Sequence, residues 1–188
     1  GVRIPDGVTV DFGHAMERMR RLRASIAPHD SVQRFSDLGV DVFIGSGRFI
    51  DAGTVAVAGE RLAFKKAVVA TGARAAAPPI EGLKDVVYLT NETIFSLTER
   101  PKRLAVIGAG PIGCEMAQAF ARLGSEVLLV ESTHGILPRE DKDASGLVLE
   151  SMLKDGVKLL CCAKDLKLTK GDGGQIRLTL ESHGKRYA

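Results

Sequence analysis

Residues 103–131, RLAVIGAGPIGCEMAQAFARLGSEVLLVE, leave this chain few ways to fold. Leu104, Ala105, Val106 and Ile107 form a short unbroken apolar run, the pattern of a strand covered on both faces. Gly108, Ala109, Gly110, Pro111, Ile112 and Gly113 follow at once as a G-x-G-x-x-G turn. Gly108 lets the chain reverse tightly, Gly110 keeps side chains away from an approaching pyrophosphate, and Gly113 lets helix and strand pack closely. The helix starts at about Pro111, since a first helical residue has no use for an N–H. The free N–H groups and positive dipole end of that helix then face an anion. Ile112, Met116, Ala119, Phe120 and Leu123 supply the expected sheet-facing stripe, and Gly124 the stop. A second strand over residues 127–130 ends on Glu131, 23 positions after Gly108 and near the roughly 20-residue spacing at which an acid meets ribose hydroxyls. Glycine turn, helix, second strand and terminal acid together point to dinucleotide binding, whereas the turn alone would fit other α/β proteins with Glu131 merely solvated.

Downstream, residues 139–154 are expected to form a second helix with Leu147, Val148, Leu149, Met152 and Leu153 on its apolar side and Gly156 as its stop. A third strand over residues 157–160 follows, then a hairpin of residues 166–168 and 176–180 around a glycine-rich turn. The fold class is therefore α/β: a βαβαβ core with an antiparallel appendage, the ligand lying outside the carboxyl ends of the strands. Upstream, an extended lead-in reaches Asp11, which caps a helix carrying Met16, Met19, Leu22 and Ile26 at helical spacing. Pro28 interrupts it, and a shorter helix over residues 30–38 is closed by Gly39. Residues 40–70 change to the period of strands, VDVFI, GRFID, TVAVA, RLAF and AVVA, a small meander followed by an apolar strand into Thr71 and Gly72. One more strand is expected at residues 86–89, and a short helix at residues 92–97 capped by Thr90 or Asn91.

Twenty-six basic residues against 23 acidic ones, a net +3, are too evenly spread to suggest nucleic acid, and the basic run at residues 18–23 reads as a solvated helix face. No apolar run approaches membrane-spanning length and no signal peptide is visible, so no membrane association is expected. Cys114, Cys161 and Cys162 show no C-x-x-C and no metal spacing; Cys161 and Cys162 fall in an expected strand where neighbours face opposite sides. Buried free thiols in a reducing cytoplasm, with no metal, are the expectation.

KAVVATGARAAAPPIEGL at residues 66–83, ahead of IGAGPIGCE, resembles the A-T-G-x-x-P segment joining the two nucleotide domains of flavin-dependent pyridine nucleotide–disulfide oxidoreductases, most closely their mercuric reductase and dihydrolipoyl dehydrogenase branch. VDFGHAMERMRRLRA, GVDVFIGSGRF and GILPREDKDAS, at residues 10–24, 39–49 and 135–145, carry the resemblance over nearly the whole chain. It implies a partial FAD-binding domain of helix plus β-meander at residues 1–100, and a Rossmann-type NAD(P)-binding domain, C-terminally incomplete, at residues 101–188. Gly47 then matches a position near the FAD adenine, and Thr71 and Gly72 residues lining FAD. For Thr71 and Gly72 the plainer alternative is a strand running into a turn. Gly108 to Gly113 and Glu131 match the NAD(P) site, and Glu115 the acid lying toward nicotinamide and flavin, unless its charge only favours the helix N-terminus.

The family's first FAD glycine motif, its C-x-x-x-x-C redox pair and its C-terminal dimerisation domain with the catalytic His have no counterpart among these residues, so the chain resembles an internal fragment. The resemblance implies that the parent passes hydride from NAD(P)H to FAD and electrons onward to a disulfide and a substrate such as mercuric ion or a dithiol, as a homodimer. The isolated chain is expected to bind NAD without catalysis, NADP being disfavoured by Glu131. A flavoprotein reductase lacking the redox disulfide and a free-standing NAD-binding module are the alternatives.

Overall fold

The computed structural model describes residues 7–188, so part of the expected extended lead-in, residues 1–6, lies outside the described residues. Helix α1, Phe12–Ile26, begins where Asp11 Oδ1 accepts the His14 N–H at 2.9 Å, as the capping reading requires. Pro28 then converts the chain to a 3-10 turn at Ala27–Asp30. Helix α2, Val32–Asp37, starts on the Ser31 hydroxyl, which accepts the Arg34 N–H at 3.2 Å, and is closed by Gly39 at φ +83°. The meander follows in the order β1 (Arg48–Asp51), β2 (Thr54–Val57), β3 (Glu60–Ala63), antiparallel throughout. Its rings meet edge to face at Phe49 and Phe64, with centroids 5.8 Å apart.

Three expected strands are absent. Residues 40–44, 67–70 and 86–89 run as irregular chain, and Val68 in the second is 92% exposed. An apolar run shows a preference for burial, but a strand exists only when its N–H and C=O groups find a ladder, and none of these three segments pairs with another strand. Valines, phenylalanines and isoleucines are left on the surface, among them Phe35, Phe43, Ile44, Phe49, Val69 and Val87. Apolar surface of this kind favours association. The isolated chain is therefore expected to bind an apolar dye and to run above its monomer mass in light scattering; a clean monomer without dye binding would refute this.

The chain groups into two compact units: residues 18–74, with α2 and the meander, and Ala75–Ala188 together with the segment ending at Glu17. In the second unit β4 (Arg103–Ile107), α3 (Pro111–Arg122), β5 (Glu126–Val130), α4 (Lys142–Lys154) and β6 (Lys158–Leu160) build a parallel sheet in the order β4-β5-β6. Leu104 pairs with Val127 and Leu129 with Leu159, which puts β5 in the middle, both crossovers being helical. Central position buries it: Val127, Leu129 and Val130 are almost wholly inaccessible. An antiparallel sheet of β7 (Ala163–Lys170), β8 (Ile176–Ser182) and β9 (Lys185–Tyr187) extends the expected hairpin by a third strand. It packs on the core through Ala163 and Leu180 against Val130.

Each helix of the parallel layer buries part of its expected apolar stripe, Phe120 on α3 and Met152 on α4, and leaves other members of that stripe outside. On α3 the buried positions are Cys114, Ala117 and Phe120, while Ile112 is 55% exposed and Ala119 is exposed. Small residues win because Gly113 and Ala117 let the helix backbone approach the sheet, closer than a row of large side chains would permit. α4 buries Met152 and half-buries Leu149, leaving Leu147 and Leu153 exposed. It also starts three residues later than expected, because Asp141 Oδ1 caps the N–H groups of Asp143 and Ala144 at 3.0 Å. Gln118 and Arg122 of α3 reach across to Asp155 at 2.7 and 2.8 Å, tying the two helices together.

Residues 75–86 form a strap along the antiparallel sheet. The Leu168 N–H donates to the Glu81 carbonyl at 2.8 Å, and Leu83 and Val86 bury against Leu168. The Lys167–Glu81 ion pair at 2.6 Å is exposed on both sides, so the apolar contacts do most of the holding. The helix expected at residues 92–97 is reduced to one 3-10 turn, Ile94–Ser96, preceded by the Thr90 hydroxyl accepting the Glu92 N–H at 3.2 Å.

Candidate dinucleotide-binding site

β4 ends at Ile107, and Gly108 reverses the chain at φ +101°, a backbone state in which a side chain would be strained. Gly110 follows as the N-cap of α3, and Pro111 opens the helix. The space in front of both Gly108 and Gly110 is open, with no atom within 4 Å of where a Cβ would stand. Gly113 is the opposite case: a Cβ there would lie 1.9 Å from the Gly108 carbonyl oxygen. The turn thus offers bare backbone outward and seals helix to strand inward. The first-turn N–H groups of α3, including those of Ile112 and Gly113, have no intrahelical acceptor and sit at the positive end of the helix dipole. Open backbone and free donors fit a pyrophosphate.

Ala109, between the first two glycines, is wholly buried and acts as the junction of the site. Its N–H donates to Glu131 Oε2 at 2.7 Å, and its carbonyl accepts the Leu137 N–H at 2.8 Å. The same carbonyl takes a weak bond from the Cys114 thiol at 3.4 Å. Glu131, 9% exposed at the end of β5, also accepts on Oε1 the Thr133 N–H at 2.9 Å and the Ser132 and Thr133 hydroxyls, both at 3.1 Å. Burial alone would push the carboxyl up. The hydrogen bonds from the Thr133 and Ala109 N–H groups, then from the Ser132 and Thr133 hydroxyls, outweigh it and hold the group below the ordinary carboxylate value. Glu131 is therefore a charged, pre-positioned acceptor. Cys114 behaves as expected of a buried thiol, burial pushing it up, with the Glu131 and Glu115 charges adding to that.

A cleft of about 660 Å³ opens at the carboxyl ends of β4 and β5, lined by Ile107, Gly108, Val130, Glu131 and Ser132, by Ala163 to Leu166, and by the strap at Pro78 to Glu81. This is where a parallel α/β sheet binds its ligands. The structure brings Gly108 to Gly113 and Glu131 together as the spacing requires. Glu115 stands exposed on α3, beyond its first turn, which has no acidic residue. Gly47, Thr71 and Gly72 are exposed loop positions of the other unit, Gly72 at φ +68° and Gly47 beside Val55. Sequence reasoning missed Ser132, Thr133 and Leu137 as supports of the acid and the turn. Two hydroxyl residues directly after a strand-end acid were the available signal.

Cys161 and Cys162 are not the buried thiols on opposite faces of a strand that the pattern suggests. β6 ends at Leu160, Cys162 takes a left-handed φ of +54°, and both thiols are partly exposed, beside His134 and His183.

The family model of the pyridine nucleotide-disulphide oxidoreductases matches residues 10–188. A mercuric reductase of Bacillus cereus is 32% identical over 177 residues, covering 94% of this chain and 28% of that protein. A dihydrolipoyl dehydrogenase of Acholeplasma laidlawii is 35% identical over 134 residues, covering 69% of this chain and 40% of the relative. Among solved structures, the HOCl-induced flavoprotein disulfide reductase RclA from Escherichia coli superposes with a TM-score of 0.76 at 26% identity, over 94% of this chain and 40% of its own. The chain spans 28 to 40% of the length of these three proteins. A match running from the capped first helix through the glycine turn to the last strand leaves one assignment: this chain belongs to the pyridine nucleotide–disulphide oxidoreductase family.

Proposed function

We propose that residues 101–188 form the NAD-binding part, and residues 1–100 a portion of the FAD-binding part, of a cytoplasmic, homodimeric flavin-dependent NAD(P)H:disulfide oxidoreductase. The observation that carries the reading is the bond from the Ala109 N–H to Glu131 Oε2, 2.7 Å long, which fixes a charged acid beside open phosphate-binding backbone. When bound, the nicotinamide supplies hydride to the flavin, and reducing equivalents pass onward to a redox disulfide and to a substrate such as mercuric ion or a dithiol. The residues of this chain position the donor. The Gly108–Gly113 backbone takes the pyrophosphate, Glu131 takes the adenosine ribose hydroxyls, and Glu115 on α3 faces the nicotinamide end. Gly47, Thr71 and Gly72 lie along FAD.

Glu131 favours NAD over NADP for two reasons acting together: its lone pairs suit the ribose 2′- and 3′-hydroxyls, and a 2′-phosphate would bring like charges within a few ångströms. The preference should be on the order of 1–3 kcal/mol, or roughly tenfold to a hundredfold. Titrating NADH and NADPH into the chain at fixed ionic strength, followed by nicotinamide fluorescence, tests this. Equal or tighter NADPH binding would refute the reading. The isolated chain is expected to turn over no disulfide and to retain no flavin, so a stoichiometric flavin spectrum or NADH-driven disulfide reduction would overturn that part.

A further inference from the structure

Two of the three cysteines and two of the four histidines of this chain meet at one point that the dinucleotide site does not use. The metal-ligating atoms of His134, Cys161, Cys162 and His183 all lie within 4.8 Å of one another. They come from three separate chain reversals: the loop after β5, the two-residue link between β6 and β7, and the β8–β9 turn. Cys161 Sγ lies 3.3 Å from His183 Nε2, and Cys162 Sγ lies 3.9 Å from His134 Nδ1. We propose that these four side chains form a Cys2His2 site for one tetrahedral d10 cation of the zinc class.

Geometry supports it first. Metal–sulfur and metal–nitrogen bonds of about 2.3 and 2.0–2.1 Å in a tetrahedron place neighbouring ligand atoms about 3.3–3.8 Å apart. The 3.3 Å pair already has that spacing, and the widest pair, at 4.8 Å, closes by about 1 Å of side-chain rotation. The imidazoles are exposed and free to make that movement, and their rings already stand at 89° to each other. The backbone, by contrast, is held. The Cys162 N–H donates to the Thr133 carbonyl at 2.9 Å, the Ala163 N–H to the Glu131 carbonyl at 2.9 Å, and the buried Ser182 hydroxyl to the Cys161 carbonyl at 2.6 Å. Cys162 and His183, at φ +54° and +48°, both sit in the left-handed region, and at Cys162 this turns two consecutive thiols toward one side instead of opposite sides.

Chemistry narrows the occupant. Two thiolates and two neutral imidazoles neutralise a divalent cation and match the soft-to-borderline donor set of tetrahedral zinc, while hard cations want oxygen ligands. Disulfide formation within the pair is the poorer alternative, because adjacent residues hold their Cα atoms about 3.8 Å apart, short of the 4.4–6.8 Å that disulfides span.

The test uses the unmodified, fully reduced 188-residue chain under anaerobic conditions, titrated with Co2+ and then Zn2+. One equivalent of Co2+ should produce the strong visible bands of tetrahedral cobalt with thiolate-to-metal charge transfer, and Zn2+ should erase both. Zn2+ should also protect Cys161 and Cys162 from alkylation as read by peptide mass spectrometry, a readout that needs no variant. Cys161→Ser and Cys162→Ser should each remove charge-transfer intensity, His134→Ala and His183→Ala should weaken binding at least tenfold, and His29→Ala should change nothing. Far-UV circular dichroism of each variant shows that it is folded. Absence of charge transfer at one equivalent, unprotected Cys161 and Cys162, or a tetrahedral spectrum surviving the double substitution Cys161→Ser/Cys162→Ser would each overturn the proposal.

Discussion

Gly113→Ala is expected to lower the midpoint of thermal unfolding and to weaken NADH binding at least tenfold, although it adds a single methyl group to a helix. The added Cβ would stand 1.9 Å from the carbonyl oxygen of Gly108 and 3.0 Å from its carbonyl carbon, both main-chain atoms with no rotamer to escape into. Helix propensity favours alanine by about 1 kcal/mol, but overpacking against a fixed neighbour costs about 1–3 kcal/mol, and here α3 must lift off β4 for the methyl to fit. With the main-chain overlap placing the cost at the upper end, the net loss reaches about 2 kcal/mol, which corresponds to roughly 4–8 °C in a chain of this size. Gly110→Ala is the informative partner. Nothing lies within 4 Å of its Cβ position and its φ of −72° suits any residue, so the fold should be kept while the methyl obstructs the phosphate. Differential scanning fluorimetry with and without NADH separates the two. Unchanged stability in Gly113→Ala would mean that the helix and strand are not in the contact described, and unchanged NADH affinity in Gly110→Ala would mean that the phosphate lies elsewhere.

Glu131→Arg and Glu131→Gln should have the next largest effects, by different routes. In Glu131→Arg the ribose acceptor is lost and the guanidinium is set among the Ala109 and Thr133 N–H groups, donors facing donors, so NADH affinity should fall roughly tenfold to a hundredfold and the preference over NADPH should shrink or invert. An unchanged preference would show that another residue discriminates. Glu131→Gln keeps the shape and removes the charge, which isolates the pH effect. Because the folded carboxyl is held below its ordinary value, its stabilising contribution is complete above the unfolded carboxyl value and is lost as the pH falls through the folded one. The unsubstituted chain should therefore lose stability on acidification more steeply than Glu131→Gln, and superimposable curves of unfolding temperature against pH would refute the assignment.

The glycine turn, Asp11, Pro28, Gly39 and Gly124 were readable from sequence because each answers a demand within one turn of chain: a cap, a break, a stop or a left-handed residue. Strands are a different matter. VDVFI, AVVA and the run at residues 86–89 have strand composition, yet the ladder that makes a strand is supplied by another segment, which local composition does not name. The inner faces of α3 and α4 were legible in part, through Phe120 and Met152. Size does not decide the rest: on α3 the close approach at Gly113 and Ala117 leaves Ile112 outside the contact, and on α4 Leu147 and Leu153 stay exposed. The cluster of His134, Cys161, Cys162 and His183 was hidden altogether. Its members share no motif spacing, and only the antiparallel β7–β8–β9 sheet, folded back on the end of β5, carries the β8–β9 turn to the cysteines.

The bond between Ala109 and Glu131 also bears on how such a site can change over generations. On the function proposed above, one donor of the glycine turn is engaged by the residue that would read the ribose, so recognition of pyrophosphate and ribose would not be built from separable modules. A lineage moving from one nicotinamide cofactor to the other could not simply exchange the acid for arginine, since that replacement also strips the acceptor from a wholly buried N–H in the turn. The accessible route is a paired substitution, one residue altering the ribose contact and a second, near Ser132 or Thr133, restoring an acceptor to Ala109. Intermediates that carry only the first change would be selected against for weak phosphate binding before any new specificity could be tested.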